Sequence, residues 1–236
     1  KSVTKIDGDY EVYSSNDKFY PSYKINLQKR NNLVKLLKYG DEFFQKNNIN
    51  YSIIYGSLLG YIRNKKIIPY DHDIDCIIGK ESIDKLIKLG SNKSVKNVIF
   101  NDEIQNYNPN FNSDTIYLIL NKSLLNNNGY GEKFNCKGTK GSNGDACSFR
   151  GLFGRFVLKK YYYDLFPYSY NLNNLIKKKN NNHIAYPDKL EDMSVIDNKD
   201  IIRSKLEDID VSVLKEPKAN NMMKFYYGKN YMKPSK

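Results

Sequence analysis

The chain has 236 residues, enough to bury a substantial core as one domain, and its 38 lysines and arginines against 26 acidic residues give a net charge of +12. An anionic partner is the natural inference. The basic residues are scattered, however, with 177–179 the only lysine run, which argues against a nucleic-acid patch. No apolar run approaches the ~20 residues that span a bilayer, and three cysteines are too few for a disulfide framework.

Residues 1–25 mix charge, Gly, Ser and Tyr without a sustained period and read as an irregular arm or edge strand. From about 26 to 47, Leu27, Leu33, Val34, Leu36, Leu37, Phe43 and Phe44 recur at helical spacing, predicting a long amphipathic helix. Strand, tight turn and helix start are expected in order across 51–63. Helix is expected again at 81–89 with Gly90 as its stop, and strands at 95–100, 115–120 and 156–166. Strands alternating with helices indicate a mixed α/β sheet. Residues 126–154 hold seven of the 14 glycines and predict a long insertion bordering a cleft, with Arg150 and Arg155 at its end able to meet a diphosphate. Residues 171–182 read as a surface loop. The last third closes with a strand at 206–214, a break at Pro217 and a short helix at 222–227 ending at Gly228.

The chemistry is concentrated in 51–78, YSIIYGSLLGYIRNKKIIPYDHDIDCII. The apolar run 51–55 ends in Gly56 and Ser57, a turn that directs backbone N–H groups at an anion. Pro69 stops any helix, and Asp71, Asp73 and Asp75 then alternate with His72, Ile74 and Cys76. On a strand, period two puts the three carboxylates on one face and Ile74, Cys76 and Ile78 on the other, against a core. Carboxylates so stacked repel one another unless a cation neutralises them, and oxygen ligands without thiolate or imidazole favour Mg2+ or Mn2+ over zinc. Asp164 sits among apolar and aromatic residues, where an unpaired charge is costly. Either a metal shared with Asp73 and Asp75 or a turn capped before Pro167 satisfies it.

The run GSLLGYIRNKKIIPYDHDID resembles the signature of the LicD/fukutin family, roughly G-[TS]-L-L-G-x-x-R-x-x-x-x-[IV]-P-W-D-x-D-[IV]-D. LLKYGDEFFQKNNINY (36–51) resembles that family's leading helix, YDLFPY (163–168) its D-[IL]-[FW]-P element, and NMMKFYYGKNYMKP (221–234) its closing helix and tail. Tyr70 stands where the family usually has Trp, and His72 where it often has Asp. The resemblance implies a single α/β (α+β) domain of polymerase-β-like nucleotidyltransferase fold over 1–236. Its expected form is a mixed central sheet with flanking helices and the Gly-rich insertion.

It further implies a metal-dependent phosphotransferase that moves a phospho-alcohol, such as phosphocholine or ribitol phosphate, from a CDP-activated donor to a glycan hydroxyl with release of CMP. Asp73, Asp75 and Asp164 would hold two Mg2+ (or Mn2+), and Asp164 would help remove the acceptor's proton. Gly56, Ser57 and Arg63 would bind the donor phosphates. Asp71 stands in reserve behind the ligands or replaces one in an Asp71/Asp73 register, and Arg63 has the alternative of pairing with Asp71 at a helix end. Two other readings keep the same residues: a nucleotidyltransferase that adds a nucleotide to a small molecule or RNA and expels pyrophosphate, and a non-catalytic glycan- or nucleic-acid-binding module. Cys76 is expected to be a buried thiol, while Cys136 and Cys147 could pair, stay free or join His183 at zinc. The chain as given is expected to be soluble and cytoplasmic, or in the Golgi lumen if an N-terminal anchor was trimmed ahead of Lys1.

Overall fold

Asn26 opens the longest helix, α1 (Leu27–Lys46), by accepting the backbone N–H of Lys29 with its side chain at 3.1 Å. The buried positions of α1 are Asn32, Leu33, Leu36, Leu37, Gly40, Asp41 and Phe44, one stripe at helical spacing that faces the sheet. The computed structural model describes residues 5–101, 103, 113–122, 133–134, 149–150, 152–167 and 198–233. Ahead of α1, the segment expected to be irregular is a three-stranded antiparallel sheet of β1 (Lys5–Asp7), β2 (Tyr10–Val12) and β3 (Lys24–Asn26). Tyr13, Phe19, Tyr20 and Ile25 of this arm are buried, and these aromatic contacts, spaced without a period, are what the sequence pattern did not disclose.

The central sheet has six strands: β4 (Tyr51–Ile53), β5 (Asp73–Ile78), β6 (Val98–Phe100), β7 (Tyr117–Leu120), β10 (Gly154–Leu158) and β11 (Tyr161–Pro167). Their order is β4-β5-β11-β10-β7-β6, parallel at β5/β11 and β6/β7 and antiparallel elsewhere, so the sheet is mixed as expected. Helices α2 (Tyr55–Asn64) and α3 (Lys80–Ser91) complete this part, which has the α+β character anticipated. Within the expected insertion, β8 (Lys133–Phe134) pairs antiparallel with β9 (Phe149–Arg150). Cys136, Cys147, His183 and the expected loop at 171–182 lie outside the described residues.

Two single strands read from the sequence are hairpins. Residues 154–167 fold back at Lys159, whose φ of 55° supplies the reversal, and β10 pairs with β11. Similarly β12 (Ile201–Leu206) and β13 (Ile209–Leu214) join through Glu207 and Asp208, at φ 52° and 63°, the left-handed pair of a tight two-residue turn. Neither turn contains glycine, which is why sequence pattern ran β10 into β11 and read 206–214 as one strand, without most of β12. A final helix, α4 (Lys218–Tyr227), starts four residues earlier than expected and ends at Gly228.

Charged and polar ties fasten the outer elements to α1. Arg203 of β12 forks Asp41 at 2.6 and 2.7 Å, and Asp41 also accepts the Tyr51 hydroxyl at 2.6 Å. Glu207, at the hairpin tip, accepts Arg30 at 2.5 Å and the Ile67 backbone N–H at 2.9 Å. Beneath them, α1 lies close enough to β11 that a Cβ built on Gly40 would stand 2.4 Å from Tyr163 Cε1. Gly40→Ala therefore forces this packing apart. Although alanine gains ~1 kcal/mol in helix propensity, overpacking costs ~1–3 kcal/mol, so urea denaturation is expected to show a net loss of stability.

Candidate metal centre

Register places the acids. In the parallel pair β5/β11, Asp164 lies opposite Asp75, and Asp73 is two residues back on the same face of β5. Ile74, Cys76 and Ile78 on the other face are fully buried, as the alternation predicts, and Cys76 is a free thiol. Asp73, Asp75 and Asp164 each offer an oxygen within 4.8 Å of the others. This is the three-carboxylate set named from the sequence, gathered from two strands.

Asp71 precedes the strand rather than belonging to it. Its backbone N–H closes a turn on Ile68 O, and its Oδ2 lies only 2.1 Å from where a Cβ on Gly56 would be. Gly56 is therefore required because a carboxylate rests on its Cα. That carboxylate sits over the first turn of α2, where helix N–H groups favour an anion. Ser57 is committed as well, its Oγ accepting the Asp75 backbone N–H at 3.0 Å. The phosphate cradle read at Gly56 and Ser57 is thus partly engaged from within. Tyr55, at φ 48° and the start of α2, packs on Phe166 and Tyr226, so the corner carries a left-handed non-glycine residue held by aromatic contacts.

Arg63 requires correction. It was expected at the donor phosphates, yet it is buried and donates to the Tyr20 hydroxyl at 3.2 Å, Tyr231 O at 2.6 Å and Lys233 O at 3.3 Å. Its guanidinium fastens the 231–233 tail to α2; neither phosphate binding nor an Asp71 pair is its role here.

Two cations stand by the acids. Arg155 of β10, the register partner of Asp164, donates Nε to Oδ1 at 2.8 Å and Nη2 to Oδ2 at 2.9 Å. The sequence placed it on a loop; reading the turn at Lys159 would have put it across from Asp164. Lys29 in the first turn of α1 reaches Pro69 O and His72 Nδ1, each at 3.3 Å, and its charge acts on Asp71 and Asp73. Sequence reasoning missed it, although a lysine at a helix N-terminus opposes the helix dipole and so carried a faint signal. Tyr227, near the end of α4, is also close enough for Asp75 and Asp71 to raise its phenol, which burial raises most.

Burial dominates the electrostatics. It pushes Asp75 well above the usual carboxylate range, helped by the charges of Asp73, Asp164 and Asp71 and opposed by Arg155. Asp73 is raised to about 6 by burial and by the charge and hydrogen bond of Asp71. Burial also raises Asp71 and Asp164, against the pull of Lys29 and Arg155 respectively. For Lys29 the same burial lowers the pKa.

Raised carboxylate pKa values oppose folding once the groups ionise. For Asp73 the penalty is absent below about 3.8, the unfolded value, and complete above about 6. In chelator-treated buffer, the melting temperature is expected to fall as pH rises from 5 to 7. Asp73→Asn should flatten that slope and raise the pH 7 value by about 2–6 °C, read by differential scanning calorimetry.

The description "LicD/FKTN/FKRP, nucleotidyltransferase domain" matches residues 48–123, which contain β4, α2, the three-aspartate run and β5 through β7. An uncharacterized protein of Rickettsia prowazekii (strain Madrid E) is 37% identical over 70 residues, 30% of this chain and 26% of the relative. Another, from Rickettsia typhi (strain ATCC VR-144 / Wilmington), is 37% identical over 70 residues, 30% of this chain and 23% of that protein. The similar stretch spans about a quarter of the curated relatives' length. Over residues 48–123 the chain is similar to the LicD/FKTN/FKRP family.

Proposed function

We propose that the protein is a metal-dependent phosphotransferase that moves a phospho-alcohol from a CDP-linked donor to a glycan hydroxyl and releases CMP. The observation that carries this reading is the convergence of Asp73, Asp75 and Asp164 from two neighbouring strands. The donor set is all carboxylate oxygen, which fits Mg2+ or Mn2+, and the ions would rest on these three residues. When bound they would supply charge neutralisation at the phosphoryl group. The similarity of residues 48–123 to the family's nucleotidyltransferase domain supports the same class of chemistry.

The chain's own residues orient and exclude. Ser57 holds the backbone of Asp75, Arg155 fixes the plane of Asp164, and Lys29 holds the 69–72 turn that carries Asp71. Asp164, expected to help take the acceptor's proton, has both oxygens engaged by Arg155. Asp71 is the better candidate, since among the described residues its hydrogen bonds come from His72 N–H and Asp73. Positioning and fixed charge then account for most of the catalysis, as is general for phosphoryl transfer. Among the described residues no helix is long and apolar enough to cross a membrane.

Incubation with Mg2+ and a panel of CDP-alcohols is expected to release CMP, detected by mass spectrometry, with slow hydrolysis replacing transfer when the acceptor is absent. Asp75→Ala should lower that release by at least about 10^3-fold. Pyrophosphate from CTP in place of CMP would instead favour nucleotide addition, and release of neither product by the wild type would favour a binding module. Protons compete with the metal for Asp73. The Mg2+-induced rise in melting temperature is therefore expected to be larger at pH 7.5 than at pH 5, and absent in Asp73→Asn/Asp75→Asn.

A further inference from the structure

Arg155 occupies ground that a second cation would need. It is 9% exposed, its guanidinium forks Asp164, and it lies over the Tyr162 ring with 4.4 Å to the centroid. The antiparallel register fixes it opposite Asp164, and the ring beneath sets its plane, so it is a permanent part of the cluster. Its charge also acts on Asp73 and Asp75.

On the other side Lys29 acts on Asp71 and Asp73. Arg155 and Lys29 therefore flank the four carboxylates.

We propose that Arg155 is a built-in counter-cation, a positioning residue that limits the protein alone to one divalent ion, the second arriving only with the donor's diphosphate. The inference rests on the metal-dependent reading above and revises the expectation of two resident ions. Paired ions stand ~3.5–4 Å apart and draw on shared carboxylates. Asp164 gives one lone pair on each oxygen to Arg155, and an ion shared across it would meet the guanidinium charge. Substrate phosphates relieve this shortage, since Mg2+ is commonly held by one or two carboxylates together with phosphate oxygens.

The test counts bound Mn2+ on the full chain by electron paramagnetic resonance, with and without CDP. Wild type is expected to hold one ion alone and two with CDP. Arg155→Met should hold two without CDP, whereas Arg155→Lys, which keeps the charge, should remain at one. Two ions on the wild type without nucleotide would overturn the inference while leaving the phosphotransferase reading intact. One ion on folded Arg155→Met would overturn it too, because a merely structural arginine leaves the count unchanged. No bound ion in any condition would remove the metal-dependent reading and the inference with it. Arg155→Met strips Asp164 of its partner, so circular dichroism checks that it folds; if it does not, the wild-type counts decide alone.

Discussion

Repulsion among carboxylates held at one end of two parallel strands is the constraint around which this protein is arranged. The β5/β11 register sets Asp164 beside Asp75, the two-residue period brings Asp73 to the same face, and the burial of Asp164 and half-burial of Asp73 and Asp75 reduce the water that would screen them. Nearby features answer that charge in different ways. Arg155 forks Asp164, Lys29 faces Asp71 and Asp73, the first turn of α2 lies under Asp71, and Ser57 ties down the backbone of Asp75. A sheet without a ligand to bind would gain stability by losing these acids.

Stability is recovered away from the site. The stripe of α1 packs on β11 through Gly40, with Phe44, Phe156 and Tyr163 in mutual aromatic contact. Asp41 with Arg203 and Tyr51, and Glu207 with Arg30 and Ile67, dock the β12/β13 hairpin, and Arg30 with Glu11 docks the N-terminal sheet on the same helix. Arg63 performs the equivalent service for the tail. Such partly buried pairs specify which surfaces meet, and removing one partner leaves a charge without compensation. The contrast separates residues that spend stability for chemistry from residues that restore it.

The family match and the structure divide the site between them. Residues 48–123 hold Gly56, Ser57, Asp71, Asp73 and Asp75, the contiguous half. Asp164, Arg155, Lys29 and Tyr227 come from four further elements and meet that half only through the sheet and its covering helices. The cations that set the electrostatics therefore lie outside the matched segment.

What sequence alone determined was periodic or contiguous: the amphipathic face of α1, the alternation that buries Ile74, Cys76 and Ile78, and the acids at 71, 73 and 75. Each follows from a local repeat that needs no knowledge of neighbours. Asp164 drew attention as an unpaired charge among apolar residues, and the resemblance of YDLFPY to the family's D-[IL]-[FW]-P element placed it with Asp73 and Asp75 rather than at a turn cap. Tertiary structure decided the rest. The hairpins at Lys159 and Glu207 use left-handed non-glycine residues with no turn signature, so the pairing of Arg155 with Asp164 stayed hidden. Arg63 looked like a phosphate ligand by position on α2, but the direction of a helix face is set by what packs against it, and here that is Tyr20 and the tail. Electrostatic partners brought together by long-range contacts leave almost no trace in spacing, because charge acts through space and not along the chain.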